Sequence, residues 1–256
     1  MNEYSVIMDE WTWSYSRIKL FQQCPYAFIQ KYIYKEPGVS NFYADFGSFI
    51  HHILQLYYQG ELKKDQLQSY YIEHFSEYVG RNIQPKIRSS YFVQGLEYLG
   101  GDILSPTADN IIGVEKEFIG TIGGFKMRGF ADLIYRDNLG MVITDHKSKL
   151  LEPRSNGKRK KKDAELDEYL VQLYLYANFV RQTYGVQVNF LEFNCFRSGT
   201  IIREPCTMAK ELDAVRWAQS SIKKIHEANE FMPNPDYFYC NNLCDLRKTC
   251  PYADCF

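Results

Sequence analysis

Apolar positions recur along this chain at two periods, and the change from one to the other divides it. In "DFGSFIHHILQLYYQ", residues 45–59, Phe46, Phe49, Ile50, Ile53 and Tyr57 fall at helical spacing, and Gly60 supplies a stop. Residues 14–34 read as two helical pieces that break at Cys24-Pro25, because proline suits the first turn of a helix and not its interior. Residues 61–110 are helix-rich and carry no recognisable motif. From Val114 the texture changes. "VEKEFIGTI", "FKMRGFADLIY" and "MVITDHKSK" are separated by Gly123-Gly124 and by "RDNLG", a pattern that predicts three strands joined by tight turns. A polar loop over 151–165 follows, expected to be mobile. A helix is expected over about 166–183, strands around 186–196 and 199–204, and a helix over about 208–230 ended by Pro233 and Pro235. The pattern is α/β.

Two of the predicted strands carry an acid where a buried strand should not want one, Asp132 in "FADLIY" and Asp145 in "VITDHK". If the turn is centred on Asn138-Leu139, each residue pairs with the one equidistant from it, and Asp132 falls opposite Asp145. Directly opposed residues have Cβ atoms roughly 4.5–5.5 Å apart, close enough for two carboxylates to share one hard cation. Strand alternation puts Lys147 on the face of Asp145 and turns His146 away. The arrangement suits metal-assisted phosphodiester hydrolysis. Solvated acids at strand ends would give the same letters, so the hairpin alone leaves both readings open.

Composition narrows the setting. Hydrophobic residues make up 45% of the chain and charged residues 24%, as in an ordinary globular protein, and no apolar run approaches the roughly 20 residues of a membrane helix. A net charge of -1 argues against a uniformly basic nucleic-acid coat but permits a local basic groove. The opening residues show no signal-peptide pattern, and the seven cysteines are an odd number, so a reducing, cytoplasmic setting with thiolate chemistry is expected. No phosphate-binding Gly-x-x-x-x-Gly-Lys loop is present, hence no ATP-driven motor is expected.

Four short motifs then stand in a telling order: Gly47-x-x-x-His51, Gly129-x-x-Asp132, Asp145-x-Lys147 and Gln172-x-x-x-Tyr176. With the opening "SYSRIKLFQQCPYAF" they resemble the RecB-type branch of the PD-(D/E)XK nuclease superfamily over about residues 14–255. The resemblance implies a single nuclease domain over 1–256, with a restriction-endonuclease-like core: a central mixed sheet flanked by helices. It implies His51, Asp132 and Asp145 as ligands of Mg2+ or Mn2+, and Lys147 as the catalytic lysine. Gln172 and Tyr176 would organise the site or touch DNA, and Glu115 aligns with a further family acid. Periodicity alone does not choose between His51 and His52; only the spacing from Gly47 selects His51. Gln172 and Tyr176 share one helical face, which an ordinary boundary pair would also do.

The tail "YCNNLCDLRKTCPYADC" gathers Cys240, Cys244, Cys250 and Cys255, and thiolates this crowded in a reducing compartment usually share a metal. The resemblance implies a [4Fe-4S] cluster held by Cys24, Cys240, Cys244 and Cys250, tying segment 14–34 to segment 236–255. The first tail spacing is one residue longer than the family's usual one. Cys255 is therefore a substitute ligand, and four tail cysteines around a structural Zn2+ are the alternative. Cys195 and Cys206 read as packing residues.

The run Lys158-Arg159-Lys160-Lys161-Lys162 fits either a contact to a nucleic-acid backbone or a solvated loop. The leading expectation is a metal-dependent DNA exonuclease acting on single-stranded ends, in recombination, repair, phage DNA metabolism or CRISPR adaptation. The alternatives are a trimming subunit that depends on a helicase, recombinase or integrase, and a DNA-end-binding protein without catalysis.

Overall fold

The computed structural model describes residues 3–80 and 82–253. Its contacts divide the chain into two compact units, Met1–Asn41 with Ile119–Gly129 and Val215–Phe256, and Phe42–Phe118 with Phe130–Ala214. Among the described residues no helix is long and apolar enough to cross a membrane.

The first unit contains α1 (Ser5–Asp9), α2 (Tyr15–Gln23) and α3 (Pro25–Tyr32). Cys24 is the hinge between α2 and α3. Its extended backbone stops α2, its N–H closes on the Leu20 carbonyl, and its Sγ accepts from the Ala27 N–H at 3.4 Å. Pro25 occupies the first turn of α3, where the missing N–H costs nothing. Ser14 caps α2 by accepting from the Arg17 N–H at 3.3 Å. Just before it, buried Trp13 bridges to Met127, with hydrogen bonds of 2.8 Å from the Trp13 N–H to the Lys126 carbonyl and from the Arg128 N–H to the Trp13 carbonyl.

The second unit is built on α4 (Phe42–Tyr58), α5 (Leu67–Tyr78), α6 (Pro85–Gly100) and most of a five-stranded mixed sheet. The strands are β1 (Ile111–Ile122), β2 (Phe125–Asp137), β3 (Gly140–Lys147), β4 (Phe190–Cys195) and β5 (Thr200–Pro205), ordered β1-β2-β3-β4-β5. β2 and β3 pair antiparallel, β3 and β4 parallel, β4 and β5 antiparallel. The parallel step requires a crossover, supplied by α7 (Lys161–Tyr184), and α8 (Met208–Glu227) follows the sheet. β3 is buried at six of its eight positions, as expected of a central strand covered on both faces. One face packs Leu133, Tyr135 and Val142 against the Phe46, Phe49 and Ile50 side of α4 and against α5 and α6. The other face carries Ile143, Asp145 and Lys147 toward α7.

Three boundaries differ from the sequence expectation. β1 begins at Ile111, ahead of Val114, and β4 begins only at Phe190. α7 starts at Lys161, well before residue 166, because the Asp163 carboxylate accepts from the Ser155 and Lys160 N–H groups and holds the first turn. The basic run therefore enters the helix at Lys161.

Candidate active site

The hairpin is set by its turn. Asp137 Oδ1 accepts from the N–H groups of Leu139 and Gly140 at 2.9 and 3.1 Å, an Asx turn over Asn138-Leu139. The ladder runs from Asp137↔Gly140 to Leu133↔Thr144, the register that places Asp132 and Asp145 next in line. The Asp132 side chain takes over at this point: its Oδ2 accepts from the His146 N–H at 2.7 Å. A carboxylate thus closes the end of the sheet hydrogen bonding, and burial fixes it there.

His51 arrives from α4, one turn after Gly47. Its Nε2 lies 2.8 Å from the His146 carbonyl oxygen, which can only accept, so Nε2 carries a proton and Nδ1 is the nitrogen turned to the carboxylates. Nδ1 lies 3.4 Å from Asp132 Oδ2 and 4.0 Å from Glu115 Oε1. Glu115 reaches this point from β1 with a φ of 47°, a left-handed conformation that costs a non-glycine residue about 1–3 kcal/mol. One ligand atom each from His51, Glu115 and Asp132 falls within a span of 4.8 Å, a spacing that suits a single metal ion. Two carboxylates and an imidazole are the donor set of a hard or borderline divalent cation. His52, by contrast, stacks on Tyr78 with ring centroids 5.5 Å apart and meets the Tyr70 hydroxyl at 3.4 Å, away from this group.

The electrostatics point the same way. Burial, and then the charge of Asp145, push Asp132 up to about 7, against the opposing pull of His51 and the His146 N–H. Burial works against protonation of His51, but Glu115, Asp132 and Asp145 outweigh it and raise it to about 9. Burial is the larger of the two causes, and a divalent ion bound there would favour the ionised carboxylate against both.

Asp145 is turned elsewhere. Its Oδ2 lies 2.7 Å from Lys147 Nζ but receives no well-directed hydrogen bond among the described residues, so charge rather than geometry joins the pair. Burial disfavours the Lys147 ammonium, and Asp145 more than compensates, so Lys147 stays protonated. Lys147 also donates to Gln172 Oε1 at 3.2 Å, and Gln172 Nε2 donates to the Tyr176 hydroxyl at 2.7 Å. The Tyr169 and Phe193 rings lie 5.6 and 6.0 Å from its nitrogen. His146, pointing away as alternation requires, is a buried brace. Its N–H and C=O hold Asp132 and His51, and its ring accepts from Asn194 Nδ2 at 3.1 Å.

The expected ligand set therefore differs from the observed grouping. His51 and Asp132 meet as anticipated, but Glu115 completes the trio, and Asp145 pairs with Lys147. An open groove of about 450 Å3 adjoins the trio, lined by Tyr43, Gly47, Ser48, Gln55 and Ser148 besides the two histidines and Glu115. A Cβ at Gly47 would meet Ser148 Oγ at an ordinary 3.7 Å, so packing does not demand glycine there.

The sequence profile of the PD-(D/E)XK nuclease superfamily matches residues 12–251. The chain belongs to that superfamily. No curated protein matches it. Among solved structures it is similar to a protein from Eubacterium rectale, provisionally named an exonuclease, at 16% identity and a TM-score of 0.49, over 96% of this chain and 91% of the other.

Other expected residues of this PD-(D/E)XK nuclease are not part of the His51–Glu115–Asp132 grouping. In the first unit Cys24, Cys240, Cys244 and Cys250 line one cavity, walled by Tyr26, Ala27, Tyr239 and Leu246. No cysteine group close enough to hold a metal is present among the described residues, so the expected metal-bound geometry is not seen; Cys255 lies outside them. Within the cavity, backbone N–H groups point at sulfur from Ala27 to Cys24 and from Asp236 to Cys240, and burial pushes the Cys244 thiol up, with the other three thiols adding to it. Cys195 is buried in β4, and Cys206 follows β5 half-buried. In the basic run Arg159 pairs with Asp167 at 2.6 Å and Lys162 with Glu152 at 3.2 Å, while Arg154 beside them bridges Asp167 and Glu204. These partners account for part of the run's charge within the fold itself.

Proposed function

We propose that this chain is a divalent-metal-dependent deoxyribonuclease of the RecB-type branch that removes nucleotides from single-stranded DNA ends. The observation that carries the reading is the His51–Glu115–Asp132 trio beside a protonated, buried Lys147. His51 Nδ1 and the carboxylates of Asp132 and Glu115 would hold Mg2+ or Mn2+, while Asp145 stays with Lys147. When bound, the ion polarises the scissile phosphate and lowers the pKa of an attacking water.

The remaining work falls to side chains. Lys147 places a positive charge where the phosphate gathers negative charge in the transition state. Asp145 keeps that lysine charged, and Gln172, itself fixed by Tyr176, fixes its position. His146 holds Asp132 and His51 through its backbone. The open groove beside the trio, with Tyr43 on its wall, suits a flexible strand with unstacked bases.

Cys24, Cys240, Cys244 and Cys250 would hold a [4Fe-4S] cluster or a Zn2+ ion. The support is their shared cavity, its apolar wall and the backbone N–H groups aimed at two of the sulfurs. Such a centre would staple the two chain ends of the first unit and take no part in hydrolysis.

The test compares linear and circular single-stranded DNA of one sequence, with Mg2+, Mn2+ or EDTA. Metal-dependent loss of the linear form alone supports the reading. Cleavage of the circle would make the protein an endonuclease, and equal cleavage in EDTA would remove the metal from the account.

A further inference from the structure

In the first unit, away from the cysteine cavity, a second cationic arrangement stands without a partner. The Arg17 guanidinium sits in the corner of two rings, its carbon 4.4 Å from the centroid of Trp11 and 4.4 Å from that of Tyr32, with the rings themselves 6.2 Å apart and tilted by 58°. One of its N–H groups goes to the Thr12 carbonyl at 3.1 Å. Its Nε is buried with no acceptor among the described residues. No carboxylate pairs with it there. Its charged neighbour is another cation, Arg128, and burial together with that repulsion lowers its pKa, with only the Tyr32 phenol acting against them.

Arg128 is placed by the Trp13 bridge, because its own N–H bonds the Trp13 carbonyl four residues before Arg17. It is exposed, and so is Lys126, two residues earlier and on the same face of β2. Neither side chain has an ion pair among the described residues. A packing role alone explains this poorly. Folding leaves an N–H unsatisfied and sets like charges side by side, two costs that a smaller or neutral residue at position 17 would avoid. The like-charge cost is relieved if an anion sits beside the exposed Arg128 and Lys126, with the Arg17 charge behind it.

We propose that Arg17, Arg128 and Lys126 form a docking site for a backbone phosphate of single-stranded DNA, built from residues other than the metal-binding set. The site rests on the nuclease reading for the identity of its ligand. It would anchor the strand by charge, independent of base sequence, while the trio and Lys147 perform the chemistry.

The experiment measures binding of a short fluorescent single-stranded oligonucleotide by anisotropy in EDTA, over a range of KCl concentrations. No cleavage is needed, so failure of the nuclease reading would show as an inactive enzyme and leave this result readable. Arg128→Ala should weaken binding roughly threefold to tenfold and flatten the salt dependence by about 0.7 in log–log slope, the value for one lost single-strand phosphate contact. Arg17→Gln should also lose affinity, since it removes the charge behind Arg128, while Lys86→Ala, which removes an exposed charge on α6, should leave both quantities unchanged. Thermal unfolding of Arg128→Ala at the wild-type midpoint would show that the fold is intact. Unaltered affinity and slope in Arg128→Ala, or wild-type protein that does not bind the oligonucleotide, would overturn the proposal. Calorimetry with inorganic phosphate separates the other source of the same chemistry: Arg128-dependent phosphate binding with unchanged DNA binding would assign the site to a free anion and overturn the proposal as stated.

Discussion

Asp132→Asn should stabilise the metal-free protein above neutral pH while removing its activity. The carboxyl is raised from 3.8 to about 7, chiefly by burial and by Asp145. Fully ionised, it therefore costs the folded state on the order of 4 kcal/mol at 1.36 kcal/mol per pH unit. The sign follows from linkage. With the folded pKa above the unfolded one, the stabilisation is complete at low pH and is lost as pH rises through about 7. Between pH 5 and pH 8 the loss amounts to about 2–3 kcal/mol. Asparagine keeps an oxygen for the His146 N–H and does not ionise. Urea unfolding in EDTA at both pH values, wild type beside variant, cancels the carboxylates the two proteins share and leaves Asp132 together with its partner His51. The difference should grow by that amount in favour of the variant. Saturating Mn2+ should then reverse the order, adding about 2.7 kcal/mol to wild type at a hundredfold excess over Kd and little to the variant. A variant less stable than wild type at pH 8, or a difference independent of pH, would show that Asp132 is satisfied without an ion and refute the electrostatic argument.

The other expectations are simpler to read. Lys147→Met should lower single-turnover cleavage by about 10²–10⁴ while oligonucleotide binding persists, and it should destabilise the fold by about 3–5 kcal/mol because the buried Asp145 is left unpaired. Glu115→Gln should raise the Mn2+ concentration needed for half-maximal activity more than it lowers the rate at saturation; an unchanged metal titration would take Glu115 out of the ligand set. Cys244→Ala should lose the iron or zinc found by elemental analysis of anaerobically purified protein and cost about 2–5 kcal/mol, and a variant as stable and as metal-rich as wild type would rule out the four-thiol centre.

The central hairpin was legible because two local rules agree there. Period-two alternation separated His146 from Asp145 and Lys147, and the Asp137–Gly140 turn fixed the register that brings Asp132 toward Asp145. His51 could be chosen over His52 only by its spacing from Gly47, and the rings of Tyr70 and Tyr78 explain where the second histidine went. Glu115 carried a weaker signal, because alternation along β1 cannot reveal a residue twisted to a positive φ. Tyr169 beneath Lys147 was hidden for a related reason: a helix pattern reports which face is apolar, not which ring meets a strand distant in sequence. The early start of α7 depends on Asp163 capping backbone from a loop that shows no periodicity.

Cleavage of end-labelled linear single-stranded DNA in Mg2+ or Mn2+, wild type beside Asp145→Asn, tests the central claim most directly. The account predicts that wild type alone shortens the DNA progressively from one end, and that EDTA abolishes the reaction. Equal cleavage by both proteins, or none by wild type with either metal, would contradict it.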